Sequence, residues 1–137
     1  MVQRARRVNA VVIHCNPDTY RQELDKLNPP LQDLIVTPGW LVIYHQFYAI
    51  EPPRHNTEDE IRWWFKENMY QARHEKFDRL IDLGWYPEFQ FDCGEFGLVL
   101  YAGDFHGELL RELHTKNCQT VVDTMNEWFC AVTNGII

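Results

Sequence analysis

Apolar and polar positions along the chain keep one spacing for a stretch and then change it. Val8–Cys15 (VNAVVIHC) is a run of β-branched and apolar residues, the composition of a buried strand. Asn16-Pro17-Asp18 breaks the run, and Asp18 or Thr19 caps a short helix to about Lys26. Asn28-Pro29-Pro30 stops that helix, because the residue before a proline avoids helical angles. Asp33–Thr37 reads as a short strand, Pro38-Gly39 as a turn, and Trp40–Ile50 as a long strand ended by Pro52-Pro53.

The next stretch, Glu58–Leu83, reads as a long helix. Thr57-Glu58-Asp59-Glu60 has the form of a capping box, and Gly84 stands where a helix ends in a left-handed residue. At helical spacing, Ile61, Phe65, Met69, Ala72 and Leu83 fall on one side, flanked by Trp64. Trp63, Tyr70, Phe77 and Ile81 fall on the opposite side. A surface helix needs one apolar stripe only. The second stripe is either packed inside the molecule or offered to a partner, so these four residues are candidate interface residues.

After Gly84 the period drops to two. Glu88–Asp92 alternates, Cys93-Gly94 turns, and Glu95–Ala102 places Phe96, Leu98 and Leu100 on one side, which predicts a hairpin. Residues 108–114 suit a helix or a strand. A third strand is preferred, because Thr115–Asn117 resembles a fresh helix start. The last helix, Cys118–Thr133, groups Val121, Val122, Met125, Trp128, Phe129 and Val132, and Asn134-Gly135 ends it.

These elements predict an α+β fold over residues 1–137 as a single domain. A mostly antiparallel sheet packs against a long central helix and a C-terminal helix, and residues 1–7 form a basic, flexible segment. A mixed sheet opening with a βαβ unit at 8–37 is the alternative.

Charge sharpens the picture. The net charge is −7, and residues 82–137 hold nine acids against two bases, Arg111 and Lys116. A field of that sign disfavours phosphate backbones and steers a basic partner. The Arg4, Arg6 and Arg7 cluster is too short to argue for a nucleic-acid arm. Cys15, Cys93, Cys118 and Cys130 form no C-x-x-C pair, and no apolar run of membrane length occurs. A cytoplasmic protein with free thiols is therefore expected, with no membrane and no nucleic-acid partner.

Candidate chemistry is sparse. Serine is absent from the chain, and no Gly-rich phosphate loop, nucleophile elbow or H-E-x-x-H helix occurs. His14 and Cys15 are neighbours on a strand and point to opposite faces, so they form no dyad. The stretch Gly103-Asp104-Phe105-His106-Gly107-Glu108 remains. If extended, it would put Asp104, His106 and Glu108 on one side, and with His114 it is the candidate metal or acid/base site. A polar turn between strands explains the same residues and is the preferred reading. The expectation is a protein-binding module of inhibitor, immunity or regulatory type, acting without catalysis or cofactor through an aromatic and acidic surface. Its partner would be a basic protein. A metal-dependent enzyme and a self-associating structural protein are the alternatives.

Overall fold

A computed structural model describes residues 29–137. The strand expected at Val8–Cys15, the helix after it and the basic segment 1–7 lie outside the described residues. From Leu31 onward the chain is α+β. Five strands, β1 (Trp40–His45), β2 (Tyr70–His74), β3 (Arg79–Tyr86), β4 (Glu95–Ala102) and β5 (Leu109–Thr115), precede one helix, α1 (Cys118–Thr133). The strands form an antiparallel meander in chain order. Ile43 is an extra residue in β1 against β2, and Leu110 is one in β5 against β4.

The long central helix is absent, and the expectation for Glu58–Leu83 is corrected. A 3-10 turn at Glu60–Trp64 is all the helix that this stretch forms, and a β2–β3 hairpin follows. The Thr57 hydroxyl accepts from the Asp59 amide, two residues on, and closes a local turn instead of a capping box. Gly84 lies inside β3, where a Cβ would collide with the Glu67 carbonyl oxygen. The residues assigned to the inward stripe do reach the core: Phe65, Met69, Ala72 and Leu83 are buried and Ile61 packs against them.

Trp40–Ile50 forms a shorter strand than expected, and Asp33–Thr37 is extended but lies outside the sheet. That segment runs along α1 instead, with the Ile35 amide donating to Asn126 Oδ1 (2.8 Å) and the Thr37 hydroxyl to the Phe129 carbonyl (2.9 Å). Residues 88–92, expected as a strand from their alternation, are a loop, while Glu95–Ala102 is a strand as its alternation predicts and residues 109–115 form the preferred third strand. The loop stays ordered because Phe91 is buried and the Phe91 amide donates to Asn56 Oδ1 (2.7 Å).

α1 begins where Asn117 Oδ1 accepts from the Thr120 amide (2.8 Å). It ends at Gly135, whose φ of +73° lets the Ile136 amide reach back to the Ala131 carbonyl (2.8 Å). Its six expected apolar positions are all buried. They cover the sheet face that carries Tyr70, Ala72, Ile81, Leu83, Trp85, Phe96, Leu98 and Leu100. Trp85 is fully enclosed by Phe65, Phe91 and Phe96, with its indole N–H donating to the Gln90 carbonyl (2.7 Å). No helix among the described residues is long and apolar enough to cross a membrane.

Candidate binding face

Because side chains alternate along a strand, the residues between those core positions point away from α1. The register aligns them in rows across the sheet. One row is Tyr44, Gln71, Asp82, Val99 and Glu112. The next is Leu41, Arg73, Leu80, Tyr101 and Leu109. On the other flank Gly84, Gly97 and His114 align, followed by Tyr86 and Glu95. No described element lies over this face, and Leu41, Tyr86 and Leu109 are each exposed by more than two fifths.

Tyr86 folds back over the glycines. A Cβ on Gly84 would stand 2.7 Å from its hydroxyl, and one on Gly97 would stand 3.2 Å from its ring. The two glycines thus form a floor on which the ring lies, and the hydroxyl reaches the Glu67 carbonyl (3.4 Å). Phe105 meets Tyr101 edge-on at 5.6 Å.

Asp82 is the least ordinary group here. It is 8% exposed, yet its hydrogen-bond partner is neutral: the Gln71 amide donates to Oδ2 (3.1 Å), and Tyr44 stands beyond Gln71 in the same row. Burial pushes the Asp82 carboxyl above its ordinary value, and the Gln71 and Tyr44 side chains offset part of that rise. Burial, then the nearby Asp82 charge, pushes the Tyr44 phenol up to about 12, and Tyr86 is raised for the same two leading reasons. Beside this row Tyr44, Gln46, Lys66, Asn68 and Gln71 line an open cleft of about 540 Å³.

Further carboxylates stand along β4 and β5. The His114 imidazole lies between them, Nε2 3.1 Å from Glu112 and Nδ1 3.5 Å from Glu95. The Arg73 guanidinium is held by the Asp78 carboxylate and the Gly103 carbonyl, so its charge is already answered.

The residues singled out in the sequence are dispersed. Tyr70 and Ile81 are fully buried in the core, where their side chains contact no solvent. Trp63 is half-exposed in the 3-10 turn against Phe89, and Phe77 sits in the β2–β3 turn stacked on His74. Without the helix they form no stripe. Gly103–Glu108 is the tight β4–β5 turn. Asp104 Oδ1 accepts from the His106 amide (2.8 Å), and the Ala102 amide donates to the Glu108 carbonyl (2.8 Å). His114 lies on β5 with Glu95 and Glu112 as partners, apart from that turn. Among the described residues no three His, Cys, Asp or Glu side chains converge as metal ligands.

Asp82, Glu95, Glu112 and Tyr86 were missed as site residues. The alternation of Glu95, Gly97, Val99 and Tyr101 opposite Phe96, Leu98 and Leu100 was the available signal for an outward face.

No family model, curated protein or solved structure matches this chain.

Proposed function

We propose that this protein is a non-catalytic binding module whose contact surface is the helix-free face of the sheet, and that it takes a basic segment of a protein partner. The observation that carries the reading is Asp82: a carboxylate nearly withdrawn from water, held by the Gln71 amide, with no ion-pair partner among the described residues. An arriving guanidinium or ammonium would offset the burial of that charge. Glu95 and Glu112 extend the negative field, and Tyr44, Tyr86 and Tyr101 provide rigid aromatic area of the kind that anchors interfaces. The rows give partner side chains a fixed two-dimensional pattern to read.

A hexa-arginine peptide titrated into the labelled protein and followed by amide chemical shifts tests this. Shifts concentrated on residues 82, 95–101 and 112 are expected, weakening with added salt. The Asp82→Asn/Glu112→Gln variant should bind about tenfold more weakly, or roughly 1.4 kcal/mol. Equal shifts at Asp123 and Glu127 on α1 would mean indiscriminate attraction to acids and would remove the reading.

A further inference from the structure

On the helix side of the sheet, two arginines stand in phase with the apolar core positions. Arg79 opens β3 opposite His74 and Ala102, in phase with Ile81 and Leu83. Arg111 stands opposite Leu100 on β5, in phase with Leu113. Both point to the layer that α1 fills elsewhere, at a place the helix no longer covers because it ends at Thr133. With Phe77, Leu110, Ile136 and Ile137 they line a cleft of about 430 Å³.

The two charges there are unanswered. Arg79 Nη1 donates to the Phe77 and Asp78 carbonyls (2.7 and 3.3 Å), while its Nε is buried without a partner. Arg111 Nη1 donates to the Leu110 carbonyl (2.7 Å). Neither guanidinium has an ion-pair partner among the described residues. Nor does capping the helix account for them. The carbonyls of Cys130, Ala131 and Val132 already accept from the amides of Asn134, Ile136 and Gly135. Two like charges facing one cleft repel, and a buried donor left unmade is unfavourable. An anion relieves both.

We propose that this cleft binds an organic carboxylate carrying a short apolar chain. The planar guanidinium matches a carboxylate with two parallel hydrogen bonds. Beside the arginines and Gly135, the lining side chains are those of Phe77, Leu110, Ile136 and Ile137, which would take a short apolar chain out of water, a contribution that a bare inorganic anion cannot gain. The site is separate from the face assigned to the basic partner, and the two stand or fall independently.

Octanoate, acetate, inorganic phosphate and octylamine, each titrated into the whole protein and followed by calorimetry and amide shifts, test it. Octanoate should bind at least about tenfold more tightly than acetate or phosphate, because burying each CH₂ contributes about 0.8 kcal/mol. Its shifts should fall on residues 77–79, 110–111 and 135–137, and octylamine should not bind. Arg111→Gln, at an exposed position, should weaken octanoate about tenfold or more with the melting temperature unchanged. Ile136→Glu, at a position 74% exposed, supplies an internal carboxylate and should abolish binding even if Arg111→Gln fails to fold. Equal affinity for acetate and octanoate, tighter phosphate, binding of octylamine, or indifference to both substitutions each overturns the proposal.

Discussion

Ile81 and Asp82 are adjacent on β3 and both are less than a tenth exposed, yet they face opposite sides of the sheet. Ile81 enters a layer closed by α1, where Trp85 meets Phe96 and Phe129 meets Tyr70, both edge to face. Asp82 enters a layer that no described helix closes, and its cover is made by flat side chains lying along the sheet, Tyr44 and Gln71 beside it and Tyr86 next along the strand. The first layer is held chiefly by buried apolar area. The second is held by a few hydrogen bonds around a charge that burial disfavours. The bulk of the apolar packing therefore resides on one side of the sheet, and a buried carboxylate without an ion-pair partner among the described residues on the other.

The largest test of that division is Trp85→Ala. The ring is fully buried among three phenylalanines, so about 3–5 kcal/mol of unfolding free energy should be lost in a urea melt. A loss under about 1 kcal/mol, the range typical of surface positions, would show that the helix side is not the structural one. Gly84→Ala strikes the open side. Its methyl would meet the Glu67 carbonyl and the Tyr86 hydroxyl, so the variant should lose about 1–3 kcal/mol through displaced backbone and ring. Gly97→Ala, facing the movable Tyr86 ring at 3.2 Å and the His114 ring at 3.6 Å, should lose less. Equal losses at the two glycines would refute the floor on which Tyr86 lies.

Asp82→Asn tests the charge on the open side. The folded carboxyl titrates above its unfolded value of 3.8. The stability owed to its neutral form is complete below 3.8 and is lost as pH rises through the folded value. The asparagine has no such loss. Relative to wild type, the variant should therefore gain stability between pH 3 and pH 7 in paired urea melts. A flat difference, or one of opposite slope, would mean that Asp82 is ionised in the fold without penalty.

The same double burial explains what the sequence concealed. In β3, Leu80 to Trp85 are buried on both faces, and Leu80 puts an extra apolar residue before the alternation Ile81-Asp82-Leu83-Gly84-Trp85, so the period of two is left only five residues long. With Thr57–Glu60 imitating a cap and Gly84 imitating a terminator, 58–83 then reads as a helix. β4 was legible because its outward residues Glu95, Val99 and Tyr101 stay partly exposed and more polar than Phe96, Leu98 and Leu100. α1 was legible because Asn117 and Gly135 mark its ends chemically and one stripe only is buried. The candidate site was almost illegible. Tyr44, Asp82 and Glu112 share a row through strand register, which joins residues far apart in the chain by pairings that no local pattern encodes. In GDFHGE the nearness was visible, and the turn uses Asp104 to hold its own backbone.

The smallest effects give the finest contrast, because one substitution can be made on each side. Burial pushes both Tyr44 and Tyr70 up to about 12. Tyr70, in the core, has a buried hydroxyl with no hydrogen-bond partner among the described residues, while the Tyr44 hydroxyl helps to offset the burial of the Asp82 carboxyl. Tyr70→Phe removes an unsatisfied polar atom and keeps the ring against Phe129 and His45, so it should stabilise by up to about 1 kcal/mol at pH 7. Tyr44→Phe removes a polar group that favours the buried carboxylate and should destabilise by about 1 kcal/mol. Alkali separates them from wild type as well. A phenol raised from 10.0 to about 12 contributes stability that is full below 10.0 and falls as pH rises towards 12, because the unfolded chain ionises first. The advantage of Tyr70→Phe over wild type should therefore grow between pH 9 and pH 11. Opposite signs for the two substitutions at pH 7 are what the two-sided sheet requires. Two losses of similar size would mean that Tyr70 has found a partner, and that the core side carries polar work of its own.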